Sequence, residues 1–169
     1  AATAIGRAVH AVLQDVDLAT GDGLTELAER HAIQEDVPEA AHEVLMLAAV
    51  TLEVPIVKRA VELGCRREVY VAAPVGLDGL VEGYIDLLFE DESGGIVIVD
   101  YKTDRVGKEV SLADAAAPYL PQLGAYALAT EAATSRKVTE TWVVFSRRAA
   151  AGLYAEYRLP SVSVIAETA

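Results

Sequence analysis

The chain has 169 residues, of which 53% are hydrophobic and 24% charged, so it can bury a core and is not a disordered chain. Its 14 basic and 26 acidic residues give a net charge of −12, which argues against a free-standing protein that binds duplex DNA through a basic face. The apolar runs are far shorter than the ~20 residues of a membrane-spanning helix, so we expect no membrane partner. One cysteine, Cys65, cannot hold an iron–sulfur cluster, and a lone thiol is typical of the cytoplasm.

The first 65 residues are predicted to be helical. Apolar residues of the first helix recur at three- and four-residue spacing and therefore share one face. They are Ile5, Val9, Val12, Leu13 and Val16. Residues 20–23 break this helix, a second short helix is expected over Leu24–Ile33, and a third runs from Pro38 to about Leu63. Pro55 lies inside the third helix, so we expect a kink or a split there.

From Arg66 onwards, β-branched and aromatic residues become frequent, which favours strands. The sequence predicts three adjacent antiparallel strands, over Val69–Val71, Leu80–Phe89 and Ile96–Tyr101. A Gly-rich stretch at residues 91–95 separates the last two and is typical of a hairpin turn.

The remainder of the chain is predicted to add one helix and two strands. The helix is expected over Leu112–Thr134, and the strands over Thr139–Arg147 and Gly152–Leu159. The order of elements indicates one α/β domain over residues 1–169. Its helical part covers residues 1–65, and its sheet-and-helix core covers residues 66–169.

Two aspartates and a lysine are predicted to meet at the end of the second and third strands. Asp86 lies on the second strand, and Asp100 and Lys102 end the third, where strand alternation puts them on one face. The hairpin would bring Asp86 beside Asp100. Carboxylate oxygens suit Mg²⁺ or Mn²⁺, and a lysine can orient water or stabilise negative charge. Taken alone, these residues also fit a surface salt bridge between strands.

Three further side chains are candidates for the same site. Gln122 and Tyr126 are four residues apart on the next helix, so they share a face and could hold a DNA phosphate or position water. His10 lies on the first helix, where a neutral imidazole could bind a metal. The alternatives are a polar helix edge and a structural histidine. His31 and His42 have no such context and are expected at the surface.

Four short motifs follow one another over residues 6–126. They are Gly6-x-x-x-His10, Gly83-x-Ile85-Asp86, Asp100-Tyr101-Lys102-Thr103 and Gln122-x-x-x-Tyr126. Together they resemble the RecB-type nuclease domain of the PD-(D/E)xK superfamily. The resemblance implies a restriction-endonuclease-like α/β fold, a mixed central sheet flanked by helices with an α-helical N-terminal part.

The resemblance also implies roles for individual residues. The implied metal ligands are the side chains of His10, Asp86 and Asp100 and the main-chain carbonyl of Tyr101. Lys102 is the implied catalytic lysine, Gln122 and Tyr126 form the helix motif of the family, and Glu68 matches an acidic position that often opens the first strand. The iron–sulfur branch of the family uses four cysteines, so this chain is expected to lie outside it.

The function implied by the resemblance is that of a Mg²⁺- or Mn²⁺-dependent deoxyribonuclease. An exonuclease acting on single-stranded ends is expected, as part of an AddA- or RecB-like helicase–nuclease in DNA end processing and double-strand-break repair. The alternative is a non-catalytic scaffold that keeps the fold and contacts a partner. An acyl-transfer hydrolase is excluded by the lack of a Gly-x-Ser-x-Gly motif.

Four basic residues near the predicted site are candidates for DNA contact. They are Arg105, Lys108, Arg147 and Arg148. Because they cannot offset 26 acidic residues at long range, we expect DNA capture to depend on a neighbouring helicase domain. The sequence has neither an initiator Met nor a GxxxxGK[ST] loop, so we expect it to be cut from a longer chain that holds the motor.

Overall fold

The computed structural model describes residues 3–75 and 78–161. The helices are α1 (Ala4–Asp15), α2 (Leu24–Gln34), α3 (Ala41–Leu52), α4 (Pro55–Leu63), α5 (Leu112–Ala116), α6 (Leu120–Thr134) and α7 (Ser146–Ala150). The strands are β1 (Cys65–Val75), β2 (Gly79–Glu90), β3 (Ile96–Lys102), β4 (Val138–Phe145) and β5 (Glu156–Arg158). Single 3₁₀ turns precede α3 and α6. No helix in the described ranges is long and apolar enough to cross a membrane.

The five strands form one mixed sheet in the order β1-β2-β3-β4-β5. Strands β1, β2 and β3 are an antiparallel meander, as predicted. Strand β4 runs parallel to β3, which requires a crossover, and α5 and α6 supply it. Strand β5 returns antiparallel to β4. With helices on both faces of this sheet, the predicted fold class is confirmed.

Each face of the sheet is covered by its own set of helices. On one face, Val9 and Val12 of α1 belong to the same buried cluster as Val97 and Val99 of β3. On the other face, Leu123 of α6 packs in a cluster with strand residues. The strand members of that second cluster are Val71, Ile85, Ile96, Ile98, Val138, Val143 and Phe145. The central strands are therefore buried on both sides, and polar groups at their ends are the exceptions that need an explanation.

Prolines divide two of the predicted helices. The helix predicted from Pro38 to Leu63 is split at Pro55, which starts α4, because proline has no N–H to continue the hydrogen bonding of α3. The single helix predicted over Leu112–Thr134 is instead α5, a 3₁₀ turn that contains Pro118, and α6. The prediction of one continuous helix there is wrong for the same reason.

The two C-terminal strands are shorter than predicted. Strand β4 ends at Phe145, the residue paired with Lys102, because β3 offers no further partner beyond that point. Residues 146–150 form α7 instead. Strand β5 has three residues because it pairs only with residues 142–144 of β4.

One predicted surface histidine is buried. His31 is 9% exposed, and its Nε2 lies 2.8 Å from Asp15 Oδ2, so it joins α2 to the end of α1. The expectation for His31 is therefore wrong, while His42 is exposed as predicted.

Candidate active site

Asp86 and Asp100 lie where the ladder between β2 and β3 ends. Its last pair is Leu87 with Val99, and the two aspartates are the next residue on each strand. Both are buried, at 7% and 6% exposure. The Tyr101 N–H donates a 2.7 Å hydrogen bond to Asp86 Oδ2, so the carboxylate takes the place of a backbone acceptor and is held in orientation.

Asp100 and Lys102 form an ion pair on one face of β3. Their Oδ2 and Nζ atoms are 2.8 Å apart, whereas Tyr101 between them is buried on the opposite face with the N-terminal helices. Lys102 Nζ also lies 4.4 Å from the centre of the Tyr119 ring, a cation–π contact. Burial and the charge of Asp86 raise the pKa of Asp100 to about 6, although Lys102 opposes this shift.

His10 reaches the aspartates because α1 packs closely against the end of β3. A side chain at Gly6 would bring a Cβ to 2.7 Å from Thr103 Oγ1, so glycine is what permits this approach. One helical turn later, His10 Nδ1 lies 3.0 Å from Asp86 Oδ1. Burial lowers the pKa of His10, but the hydrogen bond to Asp86 and the negative charge of Asp86 outweigh this effect. The pKa of His10 is therefore raised above its usual value.

Glu68 joins the same group through an unusual backbone conformation. Its φ of 49° is left-handed, and the register between β1 and β2 passes from Arg67 to Val69 without a partner for Glu68. The ligand atoms of His10, Glu68 and Asp86 all lie within 4.8 Å of one another. Burial and the neighbouring Asp86 raise the pKa of Glu68.

This donor set fits a divalent cation. One imidazole nitrogen and several carboxylate oxygens are typical of Mg²⁺ or Mn²⁺ sites, with the imidazole favouring Mn²⁺. Asp100 Oδ2 is buried, and apart from its ion pair with Lys102 it accepts no hydrogen bond from the described residues. Of the predicted ligands, His10 and Asp86 belong to the group whose ligand atoms lie within 4.8 Å of one another, while Asp100 lies next to Asp86 but is not a member of that group. The third member is Glu68, which therefore has a larger part in the candidate site than the sequence indicated. Metal binding by these residues stays a prediction.

Gln122 and Tyr126 approach this group from α6. Gln122 Nε2 donates a 3.2 Å hydrogen bond to the Tyr126 hydroxyl. A side chain at Gly83 would overlap that hydroxyl, so this motif glycine also serves close packing. Burial raises the pKa of Tyr126. The predicted shared face of these two residues is therefore turned toward the aspartates.

The candidate metal ligands, Lys102 and the two residues of α6 line one open cleft of about 560 Å³. Its lining residues are Arg7, His10, Ala11, Gln14, Glu68, Tyr84, Asp86, Asp100, Lys102, Gln122 and Tyr126. The sequence reasoning missed Tyr84, although its position two residues before Asp86 on the same strand was a usable signal.

Of the four predicted DNA-binding residues, two lie on the loop that follows β3, and the other two contact this loop from α7. Arg147 donates to the Thr103 carbonyl at 2.7 Å and to Glu43 at 2.5 Å, and Arg148 contacts the Gly107 and Val110 carbonyls. These two arginines therefore hold the loop in place. Arg105 and Lys108 are exposed on the loop itself. DNA contact by the four residues stays a prediction.

The comparison with protein families identifies the class of this domain. The sequence profile of the PD-(D/E)XK nuclease superfamily matches residues 1–163. The chain belongs to this superfamily, as the motifs predicted. Its members use divalent metals, in agreement with the group of acidic and imidazole ligands described above.

Individual relatives are components of helicase–nucleases. The chain is 38% identical to a Desulforudis audaxviator protein named as an ATP-dependent helicase/nuclease subunit, with 83% of this chain and 13% of that protein covered. For the proteins of the same name from Anoxybacillus flavithermus and Lysinibacillus sphaericus, identity is 35% and 34%, over 82% of this chain and 12% of each relative. The chain thus spans about one eighth of the length of these relatives.

Proposed function

We propose that this chain is a Mg²⁺- or Mn²⁺-dependent deoxyribonuclease domain that hydrolyses phosphodiester bonds at DNA ends. The observation that carries the proposal is that the ligand atoms of His10, Glu68 and Asp86 lie within 4.8 Å of one another, in the cleft that the Asp100–Lys102 pair also lines. Carboxylates whose pKa is raised by burial and that gather in a cleft, as Glu68 and Asp100 do, are a frequent mark of functional sites.

Each side chain has a role that follows from its contacts. His10, Glu68 and Asp86 are the ligands we assign to the cation, with Asp100 and the Tyr101 carbonyl as the further ligands that the family resemblance implies. A divalent cation at this place supplies an activated water and neutralises phosphate charge. The Tyr101 N–H keeps Asp86 in orientation.

Lys102 supplies the positive charge that this chain itself contributes to the reaction. Its ammonium is fixed by Asp100 and by the Tyr119 ring, and it lines the cleft, where it can stabilise negative charge on phosphoryl oxygens in the transition state. Gln122 and Tyr126 offer an amide and a hydroxyl that can bind a DNA phosphate beside it.

The substrate we propose is a single-stranded DNA end delivered by a helicase part of the same protein or complex. The relatives are named helicase/nuclease subunits, and the net charge of −12 disfavours independent capture of a polyanion. We infer an exonuclease role in double-strand-break repair, in the cytoplasm. The alternative, a non-catalytic scaffold, is disfavoured because Asp86, Asp100 and Lys102 are all present and lie together.

The test compares cleavage and metal binding in one variant. Lys102→Ala should lower the rate of Mn²⁺-dependent cleavage of a labelled single-stranded oligonucleotide at least about 100-fold, because it removes charge stabilisation, yet keep the Mn²⁺ affinity measured by calorimetry. Lys137→Ala, whose side chain is 86% exposed outside the cleft, is the matched control. Wild-type turnover in Lys102→Ala would refute the proposal, as would no cleavage by the wild-type chain at an oligonucleotide concentration high enough to overcome weak capture.

A further inference from the structure

Two exposed tyrosines lie on the hairpin of β1 and β2, beside the cleft. The strand register pairs Tyr70 with Tyr84, and their ring centres are 5.5 Å apart with the planes tilted by 59°. The residues are 53% and 57% exposed. A cross-strand aromatic pair stabilises a hairpin, but these rings leave more than half of their surface to solvent, where a ligand can reach it.

The tyrosine pair continues the row of candidate metal ligands along the hairpin. Glu68 lies two residues from Tyr70, and Asp86 two residues from Tyr84. Because a strand advances ~3.3 Å per residue, two residues correspond to about 7 Å along the hairpin. Tyr84 itself lines the cleft together with Asp86 and Lys102. A nucleotide next to the phosphate held at the cleft would therefore have its base at the rings.

Stacking on the tyrosine rings matters more because the cations that line the cleft are already paired with acidic residues. The two cationic side chains that line it are both ion-paired, Arg7 with Glu35 at 2.7 Å and Lys102 with Asp100 at 2.8 Å. Attraction of phosphates by these cations is therefore partly cancelled. Stacking on an aromatic face needs no net charge, since every base presents a π face.

One of the two tyrosine rings is also held in place by a hydrogen bond. The Tyr70 hydroxyl donates a 2.8 Å hydrogen bond to Glu82 Oε2, on the neighbouring strand. A ring that is already oriented loses less conformational entropy when a base stacks on it. The Tyr70 ring is thus oriented before a base binds, and the Tyr84 ring packs against it.

We propose that Tyr70 and Tyr84 form a stacking platform for unpaired bases of a single-stranded nucleic acid, next to the phosphate that is cleaved. The proposal rests on the proposed nuclease function and names the feature that selects its substrate. In a duplex, both faces of a base are covered by its neighbours, so the platform favours single strands over duplex. The tyrosines position the strand and take no part in the chemistry.

The test measures binding without cleavage. Fluorescence anisotropy at low salt in EDTA gives the affinity of the chain for an oligothymidine and for an abasic oligonucleotide of equal length and charge. The wild-type chain should bind oligothymidine more tightly, and Tyr84→Leu should weaken that binding roughly tenfold and leave abasic binding unchanged. Tyr84→Phe, which keeps the ring, should bind like the wild type.

The controls separate stacking from loss of structure. Tyr154→Leu removes a tyrosine that is even more exposed, at 67%, and lines a different groove, so this variant should bind like the wild type. If Tyr84→Leu fails to fold by circular dichroism, Tyr70→Leu carries the same test.

Three outcomes overturn the platform: equal affinity of the leucine variant and the wild type, an equal loss on both oligonucleotides, or no measurable binding of oligothymidine by the wild-type chain. Failure of the nuclease function has a different signature. It would appear as base-dependent binding that persists while Mn²⁺ supports no cleavage, because the binding assay needs no turnover.

Discussion

The hairpin of β2 and β3 carries aspartates at both of its ends, and these aspartates differ in their hydrogen bonding and in the direction of their pKa shifts. At the turn, Asp91 accepts hydrogen bonds from the Ser93 and Gly95 N–H groups, both at 2.8 Å, and from the Ser93 and Thr139 hydroxyls, at 2.6 and 2.5 Å. The Ser93 and Thr139 hydrogen bonds in particular hold the pKa of Asp91 well below its usual range. At the open end, burial raises the pKa of Asp100 to about 6.

Under the function that we propose, this difference separates a carboxylate that stabilises the fold from one that is held for a cation. Four donors surround Asp91, so its negative charge contributes to stability. Asp100 is buried near a second carboxylate, and within residues 3–75 and 78–161 its Oδ2 has one partner, the Lys102 ammonium at 2.8 Å. A fold retains such an arrangement when another partner, here the cation that we propose, completes it.

The largest effect is expected from Asp100→Asn. The amide keeps the shape of the carboxylate but removes the negative charge beside the cation, so cleavage should fall at least about 100-fold. The free energy of unfolding in EDTA should change little, because the loss of the Asp100–Lys102 ion pair is offset by relief of the repulsion between Asp100 and Asp86. Urea denaturation and the cleavage assay measure the two quantities. A clear loss of stability together with normal turnover would instead make Asp100 a residue that stabilises the fold and is not needed for cleavage.

A smaller effect is expected from His10→Ala. An imidazole favours Mn²⁺ over Ca²⁺, which prefers oxygen ligands only. The variant should therefore weaken Mn²⁺ binding about tenfold and Ca²⁺ binding less, as measured by calorimetry. His42→Ala, at an exposed position, is the control. An unchanged Mn²⁺ affinity would make His10 a structural partner of Asp86 alone.

The smallest effect is expected from Asp91→Asn at the turn. It should lower the free energy of unfolding by about 1 kcal/mol at pH 7 and leave turnover unchanged, because charge-assisted hydrogen bonds are replaced by weaker ones. Since the folded pKa of Asp91 is depressed, its contribution is complete above the unfolded value near 4 and is lost as the pH falls below it. Denaturation at pH 7 and at about pH 3 should show the difference between variant and wild type shrinking in acid.

Local patterns predicted the parts of the fold that depend on local chemistry. The meander β1–β3 follows from strand composition and the turn at residues 91–95, and the break at Pro55 follows from the missing N–H. The end of β4 at Phe145 depends on where β3 stops, which no local pattern contains. Likewise, the burial of His31 depends on Asp15, sixteen residues away on another helix.

In the candidate site too, some features follow from local sequence patterns and others from tertiary packing. The motifs placed His10, Asp86, Asp100 and Lys102, because their spacing fits a helix and a strand pair. The position of Glu68 among the candidate ligands depends on its left-handed backbone conformation. Residues other than glycine rarely adopt this conformation, so the sequence does not predict it. The exposed pair of Tyr70 and Tyr84 depends on the register between two strands, which is fixed by tertiary packing.

The position of Mn²⁺ in a crystal of this chain decides whether the open end of the β2–β3 hairpin binds the cation. We predict an anomalous-scattering peak at that end, within about 2.0–2.5 Å of His10 and of carboxylate oxygens that include Asp86. A peak at the turn near Asp91, or no ordered Mn²⁺ in the cleft at a saturating concentration, would contradict it.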